Sequence, residues 1–201
     1  MNYQELSIKS LREVDKNLYD ILNKEYKYDL VIFVAKGAYL IGKDFAEINK
    51  CPLLEISASR SGGKLKKIIS PLLRLIPEKL KIYLRKKEVN SNVHASNTER
   101  NVSFNSLLYD KYRHCKRVLL VDDSVDTGYT IKYAKEAIEG YFDDATVKVA
   151  ALNCFDKAND IIKIDWCLFR NTMLKGPWSN DSKENKKFLK MYYAWKEGND
   201  Q

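Results

Sequence analysis

Apolar residues change their spacing along this chain so that helix alternates with strand. Over Leu6–Leu22 they recur at helical spacing (Leu6, Leu11, Val14, Leu18, Ile21, Leu22), which predicts an amphipathic helix. "DLVIFVA", residues 29–35, is instead a continuous apolar, β-branched run. It predicts a strand buried on both faces, as in a parallel sheet. "KGA" breaks it, "YLIGKDFAEIN" predicts a helix, and "CPLLEISAS" the next strand. "RVLLVDD", residues 117–123, is a second buried strand, followed by the helix "GYTIKYAKEAIEGY" and the strand "ATVKVAALNCF". "DWCLF" predicts a short last strand, and "SKENKKFLKMYYAWKEG" a closing helix. Apolar strands alternating with helices across short turns predict an α/β fold with an open, mainly parallel twisted sheet flanked by helices.

Between "EISAS" and "RVLLVDD" the pattern differs. Apolar positions at Leu65, Ile68, Ile69, Leu72 and Leu73, then at Leu80, Tyr83 and Leu84, predict two short amphipathic helices split by Pro71 and Pro77. "NSNVHASNTERN" after them is polar and reads as a mobile loop. Charge concentrates here. The chain carries a net +8, and the window from Arg60 to Val89 holds ten Lys/Arg against two Glu, so the remainder is near neutral. A basic stripe of this kind suits an anionic ligand, a nucleic acid or an anionic membrane surface. It lacks the interleaved aromatics of a single-strand binder, with Tyr83 alone among its aliphatics.

The 201 residues suffice for one sizeable core, and no apolar run of about 18 residues predicts a membrane span. Cys51, Cys115, Cys154 and Cys167 form no C-x-x-C pair and read as reduced core thiols of a cytoplasmic protein.

The chemistry is densest at "VDDSVDTGYT", residues 121–130, between a buried strand and a helix. In an open parallel sheet, ligands bind beyond the carboxyl ends of the strands. A helix start offers free N–H groups and a partial positive charge. Gly128 permits close backbone approach, and Thr127 and Thr130 add hydroxyls, so Asp126–Thr130 can wrap a phosphate. Asp122 and Asp123 would repel that phosphate and suit hydroxyls or a cation. A ribose 5-phosphate satisfies both halves. An acidic N-capping turn would need only one aspartate.

"VLLVDDSVDTGYT" resembles the ribosyl-phosphate signature of the type I phosphoribosyltransferases, over thirteen consecutive residues. The resemblance implies that fold, as a single domain over residues 1–201 with residues 60–101 as an enlarged basic lid and 164–201 as a base-recognition segment and helix. It implies that Asp122 and Asp123 hold the ribose hydroxyls of phosphoribosyl diphosphate (PRPP) and its Mg²⁺. Asp126, Thr127, Gly128, Tyr129 and Thr130 would cradle the 5′-phosphate. "VIFVAKGAYLIG" is similar to the family's pyrophosphate loop, which can contain a non-proline cis peptide; Lys36 and Gly37, with Arg60, would approach the diphosphate. A competing motif, "GAYLIGK", fits G-x-x-x-x-G-K, but Asp44 stands where a P-loop has Ser or Thr.

"DTG" resembles the 6-oxopurine enzymes (hypoxanthine, guanine, xanthine) and makes Asp126 the candidate general base facing purine N7. "EISASR" is similar to their second strand, and "DWCLF" with "GPWSND" to a base-reading stretch where Trp166 or Phe169 would stack, with core packing the alternative for Trp166 and Trp178. Lys157 is the nearest candidate for the lysine that contacts O6. Tyr129 stands where Gly, Lys or Arg is commoner, and "RNTMLKG" reads as an insertion. The resemblance also implies a homodimer. Two alternatives stay open: a PRPP-dependent transferase with another acceptor, and a PRPP-sensing regulator that binds nucleic acid.

Overall fold

The computed structural model describes residues 2–60 and 100–199. The two short helices expected in the basic window, and the lid role given to that window, lie outside the described residues, as does the side chain of Arg60.

Six strands make the main sheet: β2 (Leu30–Val34), β3 (Leu53–Arg60), β4 (Arg100–Ser103), β5 (Arg117–Val125), β6 (Thr146–Cys154) and β7 (Trp166–Arg170). Their order is β4-β3-β2-β5-β6-β7, with β4 antiparallel to β3 and every other pair parallel. A separate two-stranded sheet pairs β1 (Asn2–Glu5) with β8 (Thr172–Lys175) in parallel. The helices are α1 (Ile8–Leu22), α2 (Tyr39–Asn49), α3 (Ser106–Lys111), α4 (Tyr129–Tyr141) and α5 (Asn185–Asn199).

Both faces of the sheet are covered at its centre, which is why β2 is apolar at every position. In β2, Val31 and Phe33 point into one core with Leu11 and Leu18 of α1, Phe45 of α2, and Phe188 and Tyr192 of α5. Leu30, Ile32 and Val34 point into the other, with Ile131, Ala134 and Ile138 of α4. Gly42 lets α2 lie close to the sheet, since a Cβ there would sit 2.9 Å from Cβ of Phe33.

Connectivity fixes where a ligand can go. From β2 the chain crosses through α2 to β3 on one side; from the adjacent β5 it crosses through α4 to β6 on the other. The order reverses between β2 and β5, and the crevice beyond their carboxyl ends is the binding position of such sheets.

Four corrections to the sequence reading follow. Residues 2–5 are a strand. "RNTMLKG", read as an insertion, supplies its partner β8. Arg100 and Asn101, expected within a mobile lid, belong to β4 and pair with Arg60 and Ser59. Residues 106–111 form α3, whose N-cap Asn105 accepts from Leu108 N–H and whose Tyr109 packs among Phe104, Tyr141 and Phe142. The four cysteines are free thiols, and no helix among the described residues is long and apolar enough to cross a membrane.

One charged pair is buried away from the crevice. Asp15 of α1 is fully buried against Asp44 of α2, and its carboxyl oxygens meet no donor except a proton shared with Asp44. Burial first, and then the Asp44 charge, hold Asp15 well above the usual carboxylate range, and burial raises Asp44 as well. A carboxyl that holds its proton more tightly when folded stabilises at low pH, and the contribution is lost as pH rises through the folded value. Asp15→Asn can donate to Asp44 without a charge. It should therefore stabilise at pH 7.5 by roughly 1–3 kcal/mol, or about 2–4 °C per kcal/mol, with the gain shrinking toward pH 4.5. Thermal melts across that range check this; an equal shift at both ends would contradict it.

Candidate active site

Two loops meet at the reversal point. The first, Ala35–Ala38, leaves β2 and contains a cis peptide between Ala35 and Lys36, two non-proline residues. The second, Asp126–Gly128, leaves β5 and opens α4. Asp122 and Asp123 lie in the carboxyl half of β5, between the loops.

The carboxylates are packed into the protein. Asp122 is 6% exposed, and its Oδ1 accepts the N–H of Asp123 at 2.9 Å. Gly37 passes directly over Asp123, so that a Cβ built at residue 37 would fall inside the Asp123 carboxylate. A side chain there would require the carboxylate to move. Burial, then the charge of Asp123, hold Asp122 well above the ordinary range. Burial pushes Asp123 up to about 6, against hydrogen bonds from Asp122, the backbone and the side chain of Trp178, which pull it down. Two carboxylates so placed repel each other. Hydroxyl donors or a cation would relieve the repulsion.

The second loop has the form of an anion cradle. Gly128 has φ 83°, and a Cβ there would meet Ile162 Cγ2 at 2.9 Å and the Ala158 carbonyl at 3.0 Å. α4 starts at the next residue with no side-chain cap at Gly128, so its first-turn N–H groups face the crevice. Arg100, buried on β4, donates from Nε to Thr130 Oγ1 at 3.4 Å and brings a positive charge to that turn. The sequence reading missed Arg100 because its register on β4 cannot be read from a polar stretch.

Asp126 and Lys157 meet. Lys157, in the short 3-10 turn after β6, places Nζ 2.8 Å from Asp126 Oδ1. An ammonium and a carboxylate thus stand side by side at the mouth of the crevice. Lys36 donates from Nζ to the Tyr193 hydroxyl of α5 at 2.6 Å and lies over the Tyr193 ring at 4.8 Å.

Of the two candidate stacking residues, Trp166 is placed elsewhere. It begins β7, is 8% exposed, stacks on Tyr26 at 5.8 Å and donates from Nε1 to Glu25 at 3.1 Å. It packs at the amino end of the strand, away from the crevice. Phe169 is near the carboxyl end, paired with Asn153 of β6. Asn153, fully buried, donates to Ser124 of β5 at 2.9 Å and accepts from Thr172 N–H at 3.1 Å, tying β8 to the strand that carries the carboxylates. "GAYLIGK" is not a phosphate loop: α2 begins at Tyr39, Leu40 and Ile41 are buried in the core, and Asp44 faces Asp15.

A model of the phosphoribosyl transferase domain matches residues 2–165. No curated protein sequence matches the chain. Solved structures share its fold. A purine phosphoribosyltransferase from Pyrococcus horikoshii Ot3 has TM-score 0.59 and 19% identity, over 89% of this chain and 95% of that one. A xanthine-guanine-hypoxanthine phosphoribosyltransferase from Helicobacter pylori has TM-score 0.59 and 13% identity, over 94% and 99%. A hypothetical protein from Neisseria gonorrhoeae with bound ppGpp has TM-score 0.59 and 17% identity, over 96% and 97%.

Two glycines at either end of one helix should respond oppositely to alanine. Gly128→Ala forces a positive φ and a clash at the cradle, and should cost about 1–3 kcal/mol. Gly140, in the same helix with nothing within 4 Å of an added Cβ, should instead gain roughly 0.5–1 kcal/mol. Urea midpoints measured on both variants check the contrast, and a stabilising Gly128→Ala would contradict the cradle geometry.

Proposed function

The chain belongs to the phosphoribosyltransferase family, and from that premise we propose that it transfers the 5-phosphoribosyl group of PRPP to a 6-oxopurine, releasing pyrophosphate. The observation that carries the reading is the Asp126–Lys157 pair beside the buried Asp122/Asp123 pair. A 6-oxopurine presents an N–H at N7 next to a carbonyl oxygen at C6. The carboxylate suits the first and the ammonium the second. An amino group at C6, as in adenine, would face the ammonium donor-to-donor.

On this reading the 5′-phosphate sits on Asp126–Thr130, held by the first-turn N–H groups of α4, by Thr127 and Thr130, and by the Arg100 charge. Asp122 and Asp123 accept hydrogen bonds from the ribose hydroxyls and are drawn to their charged form by them. The diphosphate lies on the loop of Lys36 and Gly37, with Arg60 at the end of β3 as a further cation. Bond breaking at C1′ builds positive charge on the ribose, and the two carboxylates are placed to stabilise it. Asp126 takes the proton from the base as its nitrogen bonds to C1′. Phe169 is the candidate for the apolar face of the base site.

Asp122 and Asp123 also fit Mg²⁺, shared with the donor's own oxygens. Among the described residues no group of three or more His, Cys, Asp or Glu would hold a metal alone, so two carboxylates with ligand oxygens make the matching donor set. The bound ion supplies charge that offsets the departing diphosphate.

The test is pyrophosphate release on mixing the protein, PRPP and Mg²⁺ with each of hypoxanthine, guanine, xanthine and adenine. Turnover should appear with a 6-oxopurine and be lowest with adenine. Asp126→Asn keeps the loop's size but takes no proton, and should lower turnover about 10²–10⁴-fold with PRPP affinity within a few-fold of the parent. PRPP binding without release on any purine would move the assignment to another acceptor or to a PRPP sensor. No PRPP binding by calorimetry would end it.

A further inference from the structure

The family match stops at residue 165, yet two side chains beyond it reach the donor site. The Trp178 indole lies by the Asp123 carboxylate and favours its charged form, and the indole N–H is its only side-chain polar donor. Its ring is folded back over Gly176, where any Cβ would strike the indole. Ser179 N–H closes the turn onto the Gly176 carbonyl at 3.0 Å. Asn185 of α5, 6% exposed, donates to the carbonyls of Pro177 at 3.3 Å and Trp178 at 3.2 Å. The "GPW" turn is therefore locked from both sides, and the indole it aims cannot wander.

The same helix holds the other charge. Tyr193, two turns beyond Asn185, accepts from Lys36 at 2.6 Å. Its neighbour Tyr192 adds a second ring 5.6 Å from the ammonium and donates to Glu55 of β3 at 2.7 Å, where Lys196 also binds at 2.8 Å. α5 is thus pinned to the sheet one residue away from the contact it makes with the loop. An ammonium has three donors and the Tyr193 hydroxyl takes one, so Lys36 keeps two for an anion.

We infer that the segment from Gly176 to Asn199 is a positioning arm: Trp178 fixes the rotamer of Asp123 for the ribose, and Tyr193 fixes Lys36 for the diphosphate. Neither is a catalytic residue; each acts through the group it holds. The inference rests on the proposed PRPP reading and adds to it where the donor's two ends are set.

The experiment separates those ends. Affinities of ribose 5-phosphate and of pyrophosphate, each with Mg²⁺, are measured by calorimetry on the parent, Trp178→Phe and Tyr193→Phe. Loss of one hydrogen bond to a charged group should weaken the matched ligand about tenfold. Trp178→Phe should weaken ribose 5-phosphate and spare pyrophosphate; Tyr193→Phe should do the reverse. In turnover, both should raise the KM for PRPP while the KM for the base is unchanged. A general loss of packing cannot produce that crossed pattern. Equal weakening of both ligands by either variant, no weakening, or tighter pyrophosphate binding in Tyr193→Phe would overturn the arm. A parent that binds neither ligand would instead bring down the PRPP reading itself, and the arm with it.

Discussion

Two like charges at the end of one buried strand are the constraint around which the rest is arranged. Asp122 is buried and Asp123 half-buried, and among the described residues neither forms an ion pair with a lysine or arginine. Such a pair costs stability in the empty protein and is tolerable only if the surroundings are rigid. The rigidity is visible. Gly37 closes over Asp123 with no room for a side chain. β5 runs between two parallel neighbours, β2 and β6. Positive charges stand at the rim instead of beside the pair: Arg100 at the first turn of α4, Lys157 at Asp126, Lys36 on the opposite loop. That separation leaves the mutual repulsion of the two carboxylates without a neighbouring cation to relieve it among the described residues.

Much of this was legible from the sequence, and the reasons are physical. β2 and β5 are buried on both faces, so their apolar runs are unbroken. The loop after β5 concentrates carboxylates, hydroxyls and a glycine within ten residues. The Asp126–Lys157 meeting was guessable because both residues follow strands adjacent in a parallel sheet. β1, β4 and β8 were not legible. Each has four residues, and their partners lie far along the chain: β1 pairs with β8 across about 170 residues. Periodicity is a local signal and carries no information about such pairings. Trp166 failed for a related reason. An aromatic next to a strand reads the same whether it stacks on a ligand or on Tyr26, and only the direction of the strand tells which end of the crevice it occupies.

The C-terminal segment shows a different gap. "GPW" resembles part of a base-reading stretch, and in the structure it forms a turn held by Ser179 and Asn185. Gly176 is needed for clearance, Pro177 for the turn, and Asn185 for the two carbonyls. Each is ordinary alone. Their joint meaning depends on Asp123, more than fifty residues earlier.

The pairing of β1 with β8 reaches beyond geometry into the order of assembly. During synthesis Asn2–Glu5 has no strand partner until Lys175 has been made. The N–H of Ile8, at the start of α1, is likewise bound only later, by Glu184 at 2.6 Å. A ribosome adding about 5–20 residues per second holds both ends open for roughly ten seconds or more. Through that interval the β2–β5 core can form while the chain's beginning stays unpaired. The loop of Lys36 meets Tyr193 only once α5 has docked, so a chain broken off near residue 165 would leave Asn2–Glu5 without its strand partner and Lys36 without that contact.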